Sequence, residues 1–298
     1  MPPLTSIVAP LFPNQVEAFG TCLDGIGDLD GDNLNEIVVG APLSGGQDGA
    51  AYMFTQMGST LSMVDPGVTG SFEQHGSSIA RAGDVDLDGD EDFLVGAPHA
   101  FGNSGQDTGR ARVVSGQTGN ALYDFFGDDP YIALIGLSAQ PQLGYSVAGV
   151  GDLDGDGFPD FALGAPTDNF QYPDETPQAL SPGQAWFDPP SAWSSPYLGQ
   201  TVGTVRLMSG RTGGLLHMYS GTLAGDGLGS SIVSGGDIDG DGVNDIVIGA
   251  TSGLTGPGFH EVRSGAYRFG QVYGFSNPNT TGAAATIRAT GSCSINEN

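Results

Sequence analysis

The chain of 298 residues contains no lysine: its eight basic residues are all arginines, set against 34 acidic ones, for a formal net charge of −26. Phosphate backbones are bound through basic patches, so so anionic a chain is not expected to bind nucleic acid and repels anionic membrane surfaces. Long hydrophobic runs are missing too. No stretch approaches the eighteen or so apolar residues that cross a bilayer, which argues against membrane insertion. The N-terminal MPPLTSIVAPLFPNQ lacks the basic start and extended apolar core of a secretory signal. Histidine is scarce, and His75, His99, His217 and His260 fall at unrelated places with no zinc spacing. Neither a G-x-S-x-G elbow nor a phosphate-binding glycine loop occurs. With these catalytic signatures missing, the expectation is a non-enzyme. A glycosidase-type carboxylate pair, were there one, would come from Asp168, Asp174, Glu175 and Asp188.

Glycine is plentiful instead, at 51 residues with 19 prolines, and 38% of the chain is hydrophobic. That composition builds a core from many short strands and turns. An aspartate-rich loop recurs four times inside the same apolar frame. The copies read GTCLDGIGDLDGDNLNEIVVGAP (20–42), GSSIARAGDVDLDGDEDFLVGAP (76–98), GYSVAGVGDLDGDGFPDFALGAP (144–166) and GSSIVSGGDIDGDGVNDIVIGAT (229–251). Each has a glycine eight residues before its first aspartate, a D-x-D-x-D-x-x-x-[DE] core, and an apolar run ending in Gly-Ala. Recurrence of this kind is the signature of a repeat architecture.

Alternate carboxylates in a tight loop are what a hard cation needs, and calcium takes six to eight oxygens from carboxylates, backbone carbonyls and water. The first loop offers Asp28, Asp30, Asp32, the carbonyl of Leu34, and Glu36; the second offers Asp84, Asp86, Asp88, the carbonyl of Asp90, and Asp92. The third offers Asp152, Asp154, Asp156, the carbonyl of Phe158, and Asp160; the fourth offers Asp237, Asp239, Asp241, the carbonyl of Val243, and Asp245. Gly31, Gly89, Gly155 and Gly240 let the backbone turn around the ion. An EF-hand needs a glutamate at position 12, where this chain has Val39, Val95, Leu163 and Ile248. Asp-Gly turns joining hairpins are the bland alternative; four loops in register with the same carboxylates favour calcium. Magnesium, which keeps several waters, suits such a cage less well. Four calcium ions would move the formal charge from −26 to −18.

After each Gly-Ala comes a variable loop and then two more strands: 49–54 with 60–64, 109–116 with 121–127, 203–210 with 215–221, and 270–276 with 285–291. Four short strands per unit is the pattern of a propeller blade. The first aspartates stand 56, 68 and 85 residues apart, so the unit is constant while the insertions grow. The expected fold is all-β: one propeller of four four-stranded blades closed as a ring, the other readings being part of a larger ring or a ring closed between subunits. Its blades are about 18–65, 74–127, 143–221 with an insertion at 167–202, and 228–291. The segment at 1–17, through SIVAPLF (6–12), would complete the last blade. Cys22 enters the first loop and Cys293 follows the last strand-like segment. A closing ring would bring them together as a disulfide stabilising the fold by roughly 4 kcal/mol; two buried or free thiols are the other reading.

Gly-Asp-x-Asp-x-Asp followed by a strand and Gly-Ala-Pro resembles the FG-GAP repeat, the blade of the integrin α-subunit propeller and of many bacterial surface proteins. The resemblance covers residues 18–291 and implies one calcium ion between the first two strands of each blade, held by the residues already named. Glu36 stands for the usual final Asp, Thr251 for the Pro, and Phe-Gly is literal only at Phe19-Gly20. Integrin rings use seven blades, against four units here.

Function in such folds resides in loops. The insertion 167–202 carries Trp186, Phe187, Trp193 and Tyr197 and is the candidate partner contact, unless these aromatics fold back to cap the ring. A second insertion, 252–269, carries His260, Glu261, Arg263, Tyr267 and Arg268. Asn279 begins a sequon. The expected protein is an extracellular, calcium-stabilised structural or adhesive module. It would associate with copies of itself, as in a surface fibre or sheath, or with a matrix partner. A secreted glycan-binding protein or polysaccharide-degrading enzyme using the aromatic loop is the alternative.

Overall fold

The structure, a computed structural model, describes residues 18–54, 60–64, 72–103, 105–127, 140–168, 201–221, 225, 227–238, 242–251 and 271–275, with the side chains of 60–64 and 271–275 left aside. These residues are all-β, in four antiparallel sheets whose strands follow chain order. The first holds β1 (Leu23–Ile26), β2 (Glu36–Ala41), β3 (Ala50–Phe54) and β4 (Thr60–Val64). The second holds β5 (Ser78–Gly83), β6 (Asp92–Ala97), β7 (Arg110–Val114) and β8 (Ala121–Phe126). The third holds β9 (Ser146–Gly151), β10 (Asp160–Ala165), β11 (Thr204–Met208) and β12 (Leu215–Ser220). The fourth holds β13 (Leu228–Gly236), β14 (Asp245–Ala250) and β15 (Gln271–Phe275). Each is a meander of the kind found in a propeller blade, and is called a blade below.

The second strand of each blade reads as a nearly continuous apolar run because it is buried on both faces. Residues of β6 and β10 are buried throughout. The register repeats from blade to blade: Gly40 lies opposite Ala51, Gly96 opposite Ala111, Gly164 opposite Val205 and Gly249 opposite Val272.

The blades stack face on face in chain order. Ile26, Val38 and Met53 of blade 1 pack on Ile79, Phe93 and Val95 of blade 2. Ala82, Leu94 and Val113 of blade 2 pack on Val147, Phe161 and Leu163 of blade 3. Ala148, Val150 and Ala162 of blade 3 pack on Ile232, Ile246 and Ile248 of blade 4. Each blade thus has a leading face, turned to the blade before it, and a trailing face, turned to the blade after it.

A hydrogen bond pins each joint. Cys22 Sγ donates to the Gly76 carbonyl (3.0 Å), Ser78 Oγ to that of Gly144 (2.8 Å), and Ser146 Oγ to that of Gly229 (2.7 Å). Glycine is required twice at each joint. Gly76, Gly144 and Gly229 have φ of 85°, 83° and 87°, and a side-chain carbon on Gly40, Gly96 or Gly164 would overlap those carbonyl oxygens.

The expected closed ring is not found among the described residues. Strand β13 packs on β9, β10 and β11, whereas β1 packs on β2 and β5. Each joint links consecutive blades only, and closure would need the inter-blade rotations to complete a full turn. The expected disulfide is not found either: Cys22 is a free thiol engaged with Gly76, and Cys293 lies outside the described residues. The segments 6–12 and 285–291, expected to complete blade 4, also lie outside them.

Candidate metal centres

Each aspartate-rich loop joins the first two strands of its blade and is shaped by its own carboxylates. In the first, Asp28 Oδ1 accepts from the Gly31 and Asp32 amides (2.8 and 3.0 Å) and Oδ2 from Asn33 (2.7 Å). Asp152 does the same with Gly155, Asp156 and Gly157. Asp84 holds Asp88 and Gly89, and Asp237 Oδ2 holds Gly242 at 2.9 Å. The third aspartate caps the amide two residues on: Asp32 to Leu34, Asp88 to Asp90, Asp156 to Phe158.

The last acid of each loop, at the start of the second strand, is buried and reaches back across the loop. Glu36 accepts from the Leu29 amide, Asp92 from Val85 (2.7 Å), Asp160 from Leu153 (2.8 Å) and Asp245 from Ile238 (2.6 Å). In blades 2 and 3 its other oxygen is also held, Asp92 Oδ1 by the Gly116 amide and Asp160 Oδ1 by the Gly210 amide, each at 3.0 Å.

Three groups of carboxylate oxygens converge to within 4.8 Å: Asp28, Asp30 and Asp32; Asp84, Asp86 and Asp92; Asp152, Asp154 and Asp160. Glu36, Asp88 and Asp156 stand outside these groups. In the fourth loop Asp239 and Asp241 lie outside the described residues, leaving Asp237 and Asp245 with the chain at Val243 between them.

Burial and like charge act against ionisation of several of these carboxylates. Burial pushes Asp92 and Asp160 up to about 7 against the pull of their backbone hydrogen bonds, with repulsion from neighbouring aspartates adding to the rise. Burial, followed by repulsion from Asp30, Asp28 and Asp32, raises Glu36, and burial with like charge raises Asp86 and Asp154. Glu36 Oε1 is buried with no hydrogen-bond partner among the described residues. An orphaned buried carboxylate oxygen in a four-carboxylate loop fits a hard divalent cation.

Two features of these loops were not read from the sequence. Each of the first three loops has two positive-φ positions, Gly31 and Asn33, Leu87 and Gly89, Gly155 and Gly157, and Gly242 in loop four matches the second. Gly89 therefore matches Asn33, and Leu87, at φ 59°, occupies the place of Gly31 and Gly155. The Ser-Gly pair ending the third strand, a mere strand terminator in sequence, supplies the Gly116 and Gly210 amides. A side-chain carbon there would overlap the Glu91 or Pro159 carbonyl, a close approach that the recurring glycine signals.

Of the other candidates, Asp168 is buried, accepts from Thr204 Oγ1 (2.8 Å) and pairs with Arg206 (3.6 Å). Trp186, Phe187, Trp193, Tyr197, Asp174, Glu175, Asp188, Asn279 and the insertion 252–269 lie outside the described residues. No helix among the described residues is long and apolar enough to cross a membrane.

Known proteins resemble parts of this chain. The chain is 35% identical over 150 residues to integrin alpha-5 of Xenopus laevis, covering 46% of this chain and 14% of the integrin. It is 27% identical over 251 residues to integrin alpha-4 of Xenopus laevis, covering 80% of this chain and 20% of that one. It thus spans a fifth or less of these two relatives' length. Among solved structures, rhamnogalacturonan lyase YesW is similar at a TM-score of 0.41 and 17% identity, over 75% of this chain and 40% of the lyase. The FG-GAP repeat model matches residues 25–54, 75–114, 143–178 and 228–275, more than half of the chain. With matches on all four aspartate loops and the strands around them, the chain belongs to the FG-GAP repeat family.

Proposed function

We propose that this protein is an extracellular calcium-stabilised interaction module, a four-blade β-propeller array that binds protein partners and performs no catalysis. The observation that carries the reading is a converging carboxylate cluster in each of the first three loops, with Glu36 Oε1 buried and unpaired at the first copy. Membership in the family alongside integrin α subunits supports an adhesion-type role at the cell surface or outside it.

Four ions would be held by Asp28, Asp30, Asp32, Leu34 and Glu36; Asp84, Asp86, Asp88, Asp90 and Asp92; Asp152, Asp154, Asp156, Phe158 and Asp160; and Asp237, Asp239, Asp241, Val243 and Asp245. In each set the fourth residue gives its backbone carbonyl. Calcium supplies positive charge at the loop. The chain's own groups do the rest: the first aspartate folds the loop, and the last ties it to the second strand. Rigid loops then offer a fixed surface, and its partners are copies of this chain or a matrix protein.

Calorimetric titration with calcium tests the metal reading. Four sites in the micromolar-to-millimolar range are expected, with a large rise in melting temperature. Absence of saturable calcium binding would overturn it. Electron microscopy in millimolar calcium and after chelation tests the partner reading, with ordered assemblies that dissolve on chelation expected for self-association.

A further inference from the structure

We infer that the trailing face of blade 4 is a docking surface for the leading face of blade 1 of a second copy of this chain. This deepens the self-association reading above and rests on it, but not on the metal reading.

Four positions recur on every trailing face. The hydroxyl or thiol position is Cys22, Ser78 or Ser146 in blades 1 to 3, each bonded to the following blade; in blade 4 it is Ser231, which is exposed. The position two residues on is Asp24 or Ala80, both half-buried, in blades 1 and 2 and Ala148, 5% exposed, in blade 3, against Val233, 57% exposed, in blade 4. The residue after the first aspartate is Leu29, half-buried, then Val85 and Leu153, at 2% and 4%, but Ile238 at 53%. Gly40, Gly96 and Gly164 each face the following blade's carbonyl oxygen, whereas Gly249 faces only its own Ser231. Blade 4 retains every element of a joint, and no described residue completes it.

Blade 1 presents the matching half. Gly76, Gly144 and Gly229, whose carbonyls accept the joint hydrogen bonds, are buried; Gly20 has the same positive φ of 86° and is exposed, with no described atom beside its Cα hydrogens. Leu23 takes the place of Val147, which blade 2 covers, and is 65% exposed against 6%. A Ser231 hydroxyl meeting the Gly20 carbonyl, with Val233 and Ile238 over Leu23, would repeat the three joints already present. The surface is continuous with an interface type the chain makes three times, which commits the occupant to a leading face of this same design. Such a head-to-tail contact is heterologous, closing into a ring or extending as a filament according to the rotation per joint.

Sedimentation velocity of the full chain in millimolar calcium, across a range of concentrations, tests this. Species larger than the monomer are expected. Val233→Glu and Leu23→Glu, both at exposed positions, should each weaken association roughly thirtyfold or more while circular dichroism and calcium stoichiometry stay unchanged. Mixing the two variants should restore a one-to-one dimer, because one undamaged trailing face then meets one undamaged leading face. A wild type that is monomeric throughout overturns the proposal, as do variants that assemble normally. Assembly lost with Val233→Glu but kept with Leu23→Glu overturns the assignment of blade 1 as the occupant. Calcium binding measured on the same samples separates failure of this docking from failure of the metal reading.

Discussion

Glu73 and Arg110 form an ion pair of 2.7 Å with no more than 5% of either side chain exposed. Arg110 Nη2 also lies 3.5 Å from His75 Nδ1, which places a carboxylate, a guanidinium and an imidazole together where blade 2 begins. Breaking a buried pair leaves a charge without solvent or partner, so Glu73→Ala should cost about 3–5 kcal/mol. Glu73→Leu combined with Arg110→Met should recover most of it. Urea unfolding in saturating calcium measures both, and a single-variant loss under about 1 kcal/mol would show the pair to be solvated.

His75 is buried, and burial, with the Arg110 and Arg112 charges behind it, holds its pKa well below the usual value; Glu73 and Asp124 are the acids paired with those arginines. The imidazole is neutral in the fold but takes up a proton below about pH 6.5 when the chain unfolds. Its contribution is present above that pH and lost as the pH falls through it. Leu143 and Leu228 occupy the matching places in blades 3 and 4. His75→Leu in saturating calcium should therefore flatten the fall in melting temperature between pH 7 and 5.5. An unchanged slope would assign it to other groups.

Cys22 stands where the other blades have serine, and burial pushes its thiol up to about 12. In a Cys293→Ser background it should react with an aromatic disulfide reagent only after denaturation. Cys22→Ser should keep the bond to Gly76 and change stability by less than about 1 kcal/mol, whereas Cys22→Ala, which loses it, should cost about 1 kcal/mol. Rapid labelling of the native variant would contradict the structure.

Leu87 carries a positive φ where Gly31 and Gly155 sit, and its side chain is exposed. Leu87→Gly removes a left-handed strain of about 1 kcal/mol without emptying the core. The expected result is unchanged or higher stability and tighter calcium binding at the second loop, read by denaturation and calorimetry.

Gly116 brings the end of β7 to Asp92. Gly116→Ala would push a methyl into the Glu91 carbonyl, costing about 1–3 kcal/mol and weakening one calcium site of four. Loss of all four sites together would mean that the loops do not bind independently.

The repeat, its strands and the loop carboxylates were legible because each is a local pattern: β3, β7 and β11 start within a residue of the runs at 49–54, 109–116 and 203–210. What escaped is non-local. Ring closure depends on rotations accumulated over three joints, which no single repeat encodes. The fate of Cys22 depends on a carbonyl 54 residues away. Asn33 and Leu87 hide their positive φ because neither is glycine. The Ser-Gly pair looks like a strand end, and only the packing of Gly116 against Glu91 shows what it serves.

In blades 1 to 3 the residue following the first aspartate has its amide held by the loop's last acid, while its side chain belongs to the core shared with the next blade: Leu29, Val85 and Leu153. A cation bound in one loop therefore also steadies the hinge to its neighbour. Stability in such arrays is a sum of unit and nearest-neighbour contributions, and an ion bound as proposed would act on both. On the proposed calcium reading, calcium concentration would control bending stiffness: well supplied, the four blades would flex as one body, and depleted, they would loosen at the hinges before any single sheet melts.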